Sequence, residues 1–357
     1  MVFWKTFPLD IYYKSLFPKS NFTPLIYDKT PLESPTGNKA KWMIYSEKDE
    51  KVLSEVREFI KSYFGHPPKT PILDIPESEL LKKKDHLIFV RDISDNIVGC
   101  IRYKYIGKLI LYPLNESENQ DIYYEDCFCI HPNWRKKGLA DYLLTYLHNF
   151  FNNNNINFSL FLKEGRSLGF GLIPKPYYSG KYVYTEIQSL CPKKIGVLKQ
   201  KRRILDITPK MAFRIMDILQ EFCPKKEKSL IIRNSDSENQ TWKLYQEKDN
   251  ILLICFQDTF QRINEETPKK IGWITAWFES PQLSPDIKEE VIALSLFSIK
   301  NKFDYIWANS IWVIQDSIKK NTQQETVIKW IEDGSFHYYT YQWATDLNIK
   351  KNYCITV

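Results

Sequence analysis

Residues 126–144 read Asp126-Cys127-Phe128-Cys129-Ile130-His131-Pro132-Asn133-Trp134-Arg135-Lys136-Lys137-Gly138-Leu139-Ala140-Asp141-Tyr142-Leu143-Leu144. The apolar run that ends at Ile130 predicts a buried strand over 122–130. Apolar side chains then recur every three or four residues from Leu139 to Phe150, which predicts an amphipathic helix. A strand that leads through a short turn into such a helix indicates an α/β architecture.

The turn between this strand and helix is basic and comprises Arg135–Ala140. The first turn of a helix has backbone N–H groups without intrahelical partners and carries a partial positive charge. Lys136 and Lys137 add point charges, Arg135 can donate two parallel hydrogen bonds, and Gly138 permits close backbone approach. The turn is therefore a candidate site for a pyrophosphate group, with an ordinary basic surface turn as the alternative.

The rest of the chain repeats a pattern of helix, strands, helix and strand. In the first half we predict a helix from Ser46 to Tyr63, a hairpin of Leu87–Val90 and Ile97–Tyr103, and a strand at Phe158–Leu162. In the second half we predict helices at Pro209–Phe222 and Ile287–Lys300, with strands at Leu252–Phe256, Ile271–Phe278, Tyr305–Ala308, Phe336–Trp343 and Tyr353–Val357. Two structurally similar units, each a mixed sheet flanked by helices, follow from this repetition.

The predicted domain boundaries fall where the pattern changes. Residues 1–40 carry several prolines and many aromatic side chains, which predicts an extended arm over the folded body. The apolar pattern weakens around 190–210, where basic residues dominate. We therefore predict an arm at 1–40, a cofactor-binding unit at 41–200 and a second unit at 201–357.

Composition narrows the class of protein. The chain has 357 residues, of which 43% are hydrophobic and only 12 are glycine, so it folds and is not disordered. Its net charge is +7, but the lysines are scattered, which favours a solvated surface over a nucleic-acid partner. Seven cysteines without a CxxC pair, and the lack of a secretory leader or apolar span, predict a soluble cytoplasmic protein. We expect a monomer.

Several kinds of chemistry are disfavoured by the sequence. The five histidines lack metal-ligand spacing, and the Gly-x-Ser-x-Gly, Walker and Rossmann patterns are absent. Cys127 and Cys129 lie two apart, which places both on one face of a strand, where small buried apolar residues are the favoured interpretation. Neither a metal nor a permanently bound cofactor is expected.

Five segments carry a resemblance to a known family, and they span the chain from its first residues to its last. They are Phe3-Trp4-Lys5-Thr6-Phe7-Pro8, Cys127–His131 with Arg135–Ala140, Ile173–Pro176 with Tyr182, Lys302–Asp304 with Ala308-Asn309, and Asp333-Gly334 with Tyr338, Tyr339, Tyr341 and Trp343. In order and spacing the chain resembles the glycylpeptide N-tetradecanoyltransferase family, the N-myristoyltransferases. That family is built from two fused units of the GCN5-related type.

The resemblance implies an α/β (α+β) fold and an acyl transfer from myristoyl-CoA, the co-substrate, to a peptide with an N-terminal glycine. The residues implied in acyl-CoA binding are Val2, Phe3, Trp4, Phe128, Cys129, Ile130, Arg135, Lys136, Lys137, Gly138, Leu139 and Ala140. Those implied in peptide binding are Tyr182, Asp333 and Gly334.

The same resemblance implies how the reaction is catalysed. The α-carboxylate of Val357 would deprotonate the glycine amine, and the N–H groups of Cys127 and Phe128 would hold the oxyanion. In this fold class the strands that contain Glu125–Ile130 and Phe158–Leu162 splay apart and leave backbone N–H groups unpaired.

The chain departs from the family at four places. Gly138 stands where a second basic residue is usual, Asp126 stands for Asn, and Val183 stands for Trp. A family Thr near Lys163–Gly165 cannot be placed, because this chain is longer between Phe161 and Ile173. Two alternatives stay open: a GCN5-type N-acetyltransferase that uses acetyl-CoA, and a non-catalytic protein that binds acyl-CoA or peptide.

Overall fold

The computed structural model describes residues 22–24, 42–45, 50–65, 72–111, 120–156, 158–167, 178–221, 230–234, 239–263, 267–311, 327–341, 343–345 and 353–355. Its helices are α1 (Glu50–Tyr63), α2 (Glu77–Leu80), α3 (Leu139–Asn153), α4 (Pro192–Lys201), α5 (Pro209–Glu221) and α6 (Pro285–Ser298). Short 3₁₀ turns occur at Pro132–Trp134 and Ile187–Ser189. Across this part of the chain, every helix is too short or too polar to cross a membrane.

The described strands alternate with these helices along the chain. They are β1 (Phe22–Pro24), β2 (Trp42–Tyr45), β3 (Ile72–Leu73), β4 (His86–Asp92), β5 (Ile97–Leu111), β6 (Gln120–Ile130), β7 (Ser159–Glu164), β8 (Tyr178–Glu186), β9 (Ile204–Ile207), β10 (Leu230–Arg233), β11 (Gln240–Glu247), β12 (Asn250–Ile263), β13 (Lys269–Glu279), β14 (Tyr305–Asn309), β15 (Ile331–Tyr341), β16 (Trp343–Thr345) and β17 (Tyr353–Ile355).

The chain forms two compact units, and each gathers three separate stretches. The first comprises Met1–Ile106, Asp121–Tyr177 and His337–Asp346. The second comprises Gly107–Gln120, Tyr178–Phe336 and Leu347–Val357. The boundaries at residues 40 and 200 that the sequence suggests stay a prediction.

In the first unit, α3 packs on one face of a sheet with the strand order β15, β7, β6, β5, β4 and β2. Leu139, Leu143, Leu147 and Phe151 recur every fourth residue on α3 and are buried against this sheet. Gly99 of β5 lets α3 approach closely, because a Cβ at that position would lie 3.1 Å from Leu143. The predicted helix and its strand are therefore confirmed, and β6 and α3 frame the turn between them.

In the second unit, α5 packs on β11, β12 and β13. Phe213 and Met216 of α5 lie in a buried cluster with Trp242, Leu253 and Ala276. The region around 190–210, where the sequence pattern is weak, forms α4 and β9. Ile195 and Leu198 are the buried residues of α4, too few among lysines to reveal a helix from sequence.

The C-terminal strand β17 lies inside the sheet of the second unit. It pairs parallel with β10 through Ile231–Cys354 and antiparallel with β13 through Ala276–Cys354. The Cys354 side chain is fully buried, and its thiol donates to the carbonyl of Ile232 at 3.4 Å. β17 is therefore an interior strand of this sheet, with a neighbour on each side.

Candidate functional site

A backbone irregularity interrupts β6 at Cys127. This residue has φ 53°, in the left-handed region, although it is not glycine and lies within a strand. That conformation costs roughly 1–2 kcal/mol per residue, so its surroundings must stabilise it. Cys127 is 2% exposed, and its carbonyl accepts a hydrogen bond from the Cys100 thiol at 3.4 Å.

The irregularity fixes the direction of the next N–H group. A trans peptide is planar, so the N–H of Phe128 points opposite to the carbonyl of Cys127. Because that carbonyl faces the Cys100 thiol of β5, the Phe128 N–H is directed away from it. On its other side β6 has β7 as its neighbour.

The two strands β6 and β7 separate beside Cys127. They pair parallel through Tyr123–Ser159, Tyr124–Leu160 and Glu125–Phe161. Within these fully described strands the pairing stops there, although β6 continues to Ile130 and β7 to Glu164. The splay predicted for Glu125–Ile130 and Phe158–Leu162 is thus present, and it lies next to the Phe128 N–H.

Hydrogen bonds hold the turn that follows β6. The Asn133 N–H donates to Nδ1 of His131 at 3.2 Å. Nε of Arg135 donates to the carbonyl of Ile130 at 3.0 Å, and its Nη2 donates to the carbonyl of Tyr63 at 3.2 Å. Arg135 therefore anchors the turn to β6 and α1, and its role toward a phosphate stays a prediction.

The turn presents an open helix start. Lys136, Lys137 and Gly138 are exposed, and Gly138 forms the N-cap of α3 with φ 85° and without a side-chain cap. A Cβ at Gly138 would have no atom within 4 Å, so the left-handed backbone and not crowding favours glycine there. The first N–H groups of this 15-residue helix, flanked by two lysines, can donate hydrogen bonds to a bound anion.

An ion pair between buried Arg102 and partly buried Asp126 lies directly before the irregularity. Arg102 is 3% exposed, and its Nε and Nη2 donate to the two carboxylate oxygens of Asp126 at 2.6 and 2.5 Å. Burial opposes the charged form of Arg102, but the charge and hydrogen bonds of Asp126 outweigh it and raise its pKa. Lys104 lies on the same face of β5, where burial and then Arg102 lower its pKa to about 8.

The thiols around Cys127 are packing groups. Burial raises the pKa of Cys100 and Cys127 well above the ordinary thiol value, and it raises that of Cys129 to about 12. A neutral thiol is a poor nucleophile. The interpretation of Cys127 and Cys129 as small apolar residues therefore agrees with their burial.

A buried carboxyl group, Glu125, lies next to the splayed strands and was not identified from the sequence. It accepts a hydrogen bond from the Ser159 hydroxyl at 2.9 Å, and burial raises its pKa to about 8. Arg102 was missed as well. A signal for both was available, since charged residues stand inside otherwise apolar strands, but their pairing needed the register of the sheet.

The three residues predicted to bind peptide lie in the second unit. Tyr182 is buried and packs against Trp273 and Phe336, with ring centroids 4.8 and 4.3 Å away. Asp333 and Gly334 adjoin each other in the exposed first part of β15, which belongs to the second unit, and the Asp333 carboxylate accepts from Nε1 of Trp307 at 2.9 Å. The structure thus brings Asp333 and Gly334 to the surface and places Tyr182 in an aromatic cluster.

The other predicted residues divide into two groups. Phe128 is 36% exposed, whereas Cys129 and Leu139 are buried and Ile130 and Ala140 are partly buried. Val2, Phe3, Trp4 and Val357, with the Ile173–Pro176 segment, lie outside the described residues. Their roles stay predictions.

Comparison with known proteins defines the class of fold. Residues 53–167 match the model of the acetyltransferase (GNAT) family, and this stretch contains the irregular strand, the splay and the open helix start. The chain has the GNAT fold, with mixed sheets flanked by helices, which confirms the predicted α/β (α+β) class. No curated protein matches the sequence.

Solved structures give a more specific likeness. A crystal structure of Saccharomyces cerevisiae N-myristoyltransferase with bound myristoyl-CoA has a TM-score of 0.63 and 13% identity, over 100% of this chain and 99% of that chain. A second structure of that enzyme, with bound myristoyl-CoA and inhibitors, has a TM-score of 0.62 and 12% identity, over 95% and 88%. The resemblance seen in the sequence is confirmed at the level of the fold.

Proposed function

We propose that this protein transfers a myristoyl group from acyl-CoA to the N-terminal glycine amine of a peptide or protein, as a monomer in the cytoplasm. The observation that carries the proposal is the continuous arrangement of residues 123–142. A left-handed residue within a strand, a splayed strand pair and an open helix start follow one another there. This order of features can bind a thioester carbonyl at the irregular strand and a pyrophosphate at the helix start.

Acyl-CoA binding uses the groups of this stretch. The pyrophosphate is held by the first N–H groups of α3, with Lys136 and Lys137 beside them. Phe128, Cys129 and Ile130 flank the extended arm of coenzyme A, and Val2, Phe3 and Trp4 cover it. The match of fold over the full length of an enzyme that was crystallised with myristoyl-CoA supports the long acyl chain.

The transfer step forms one C–N bond and breaks one C–S bond. The glycine amine, once deprotonated by the α-carboxylate of Val357, attacks the thioester carbonyl. The oxyanion accepts hydrogen bonds from the N–H groups of Cys127 and Phe128, each such donor being typically worth ~2.7–4 kcal/mol. When the tetrahedral intermediate collapses, the C–S bond breaks, the extra proton on the attacking nitrogen passes to the departing sulfur, and coenzyme A leaves as the free thiol while the amide remains. Tyr182, Asp333 and Gly334 contact the peptide.

A transfer assay with two matched peptides tests the proposal. We expect myristoyl transfer to a peptide that begins with glycine and little transfer to the same peptide beginning with alanine, because the extra methyl group crowds the amine. Mass spectrometry of the acylated peptide measures both. Lack of transfer to either peptide, with acyl-CoA bound, would favour a non-catalytic binding protein.

A GCN5-type N-acetyltransferase is the second candidate, with the second unit non-catalytic. The family model supports it, because it matches only residues 53–167. Its signature would be transfer from acetyl-CoA without a gain from longer chains.

We expect the double substitution Lys136→Ala and Lys137→Ala to weaken acyl-CoA binding about 10-fold at low salt and less at high salt. Both side chains are exposed beside the helix start, so their contribution is electrostatic and screened. Calorimetric titration at two ionic strengths measures it. The matched control is Lys193→Ala with Lys201→Ala, which removes the same charge from exposed positions on α4. Equal losses of acyl-CoA affinity in both variants would show that the phosphates bind at another site.

A further inference from the structure

Asp126, the residue before the irregularity, is held by Arg102, which also contacts the end of α2. Besides its two bonds to Asp126, Arg102 donates through Nη1 to the carbonyls of Glu79 and Leu80 at 2.7 and 3.3 Å. Those carbonyls end α2, where backbone acceptors lack partners within the helix. One guanidinium therefore connects the end of α2 to Asp126 with four hydrogen bonds.

The same face of β5 holds the irregular residue itself. Cys100, two residues before Arg102, donates its thiol to the carbonyl of Cys127. Alternate residues of a strand share a face, so Cys100 and Arg102 act on consecutive residues of β6 from one side. Together they hold Asp126 and Cys127, whose geometry directs the Phe128 N–H.

The Arg102–Asp126 pair, with exposures of 3% and 22%, is by itself weak evidence of a contribution to stability. Replacing such a pair by well-packed apolar residues is often neutral or stabilising, because two charges must be removed from water. The Arg102–Asp126 pair joins β5 to β6 directly before the strained residue Cys127, and an apolar pair could not make these hydrogen bonds. It also supplies a partner for Asp126, the acidic residue by which this chain departs from the family's Asn.

We propose that Arg102 is a positioning residue, which holds Cys127 in its left-handed conformation through Asp126 and so directs the Phe128 N–H toward the reacting carbonyl. This inference rests on the proposed function for its catalytic consequence. The structural part of the proposal, that Arg102 controls the Cys127 backbone, applies to the protein without a bound ligand. The two parts are tested by separate measurements.

The test variant is the double substitution Arg102→Met with Asp126→Leu, which avoids leaving one buried charge without its partner. The matched control is Lys288→Met with Glu279→Leu, because Lys288 and Glu279 form a buried ion pair, at 2.6 Å and with 6% exposure each, in the second unit. A third variant, Arg102→Lys, keeps the charge but loses the planar fork that binds both oxygens. Thermal unfolding of each variant verifies that it is folded.

The first measurement is the ¹³C spectrum of cysteine-labelled free protein, since Cα and Cβ shifts report the backbone dihedrals. We expect the Cys127 signals to move from left-handed to extended values in the Arg102→Met, Asp126→Leu variant and to stay in place in the control. Unchanged Cys127 signals in the folded variant would overturn the proposal, whatever its activity.

The second measurement separates kcat from acyl-CoA affinity. We expect kcat to fall about 10²-fold, the order of effect of a lost or misplaced donor, while the Kd of acyl-CoA changes less than about threefold. Arg102→Lys should recover part of kcat. A shifted Cys127 signal with unchanged kcat would show that the Cys127 conformation does not affect catalysis. A wild-type protein without transfer activity would instead contradict the proposed function, and the spectrum alone would then decide the role of Arg102.

Discussion

Removal of Val357, or amidation of its carboxylate, is expected to lower the rate of acyl transfer by about 10²–10⁴-fold, the contribution typical of a general base. Acyl-CoA binding should be nearly unchanged, because the carboxylate acts on the amine and not on the cofactor. Single-turnover kinetics with saturating acyl-CoA, beside a separate binding titration, distinguishes the two steps.

The physical reason lies in the setting of the chain end. A terminal carboxylate in water has a pKa of ~3.3–3.7 and is a weak base, and burial raises that value. β17 supports a buried tail, since it lies between β10 and β13 and its Cys354 is fully buried. We therefore expect the carboxylate of Val357 to be a stronger base than a terminal carboxylate in water.

The matched control is Val357→Ala, which shortens the last side chain but keeps the carboxylate and the chain length. We expect this variant to retain most of the activity. Turnover that survives deletion and amidation would rule out the carboxylate as the base. Lys104, whose pKa is lowered and which lies beside the ion pair, would then be the next candidate for the base.

The affinity for acyl-CoA is expected to rise steeply with chain length from acetyl to myristoyl. Each buried methylene contributes ~0.8 kcal/mol, so each added pair raises affinity by up to about 15-fold. The twelve extra methylenes of a myristoyl chain give roughly 10 kcal/mol of gross driving force, before the cost of ordering the chain. This is the largest single effect that we expect of the protein.

A calorimetric series of acyl-CoAs with chains of two to sixteen carbons measures this dependence. Free coenzyme A is the control, because it keeps the phosphates and lacks the acyl chain. Equal affinity for acetyl-CoA and myristoyl-CoA would contradict the proposed substrate and favour the acetyltransferase. A rise in affinity without transfer to a glycine peptide would favour the non-catalytic binding protein.

Much of the first unit could be predicted because its signals are local. The spacing of Leu139, Leu143 and Leu147 predicts α3, and Gly138 marks its start. In the second unit, β8 and α4 were not predicted, because the apolar run Tyr182–Tyr184 of β8 is short and the apolar residues of α4 stand among lysines. A local sequence pattern does not predict an element whose burial depends on a strand that is distant in the chain.

The sequence by itself determined the strand, the basic turn and the helix of residues 122–153, since hydrophobic periodicity and capping act within a few residues. Only the tertiary structure decided the conformation of Cys127. Its carbonyl accepts from Cys100 of β5, and the residue before it, Asp126, pairs with Arg102 of β5, so its surroundings come from a different strand. It also decided that β17 is an interior strand, because both neighbours come from distant parts of the chain. Contacts between distant residues, which no local pattern encodes, set both features.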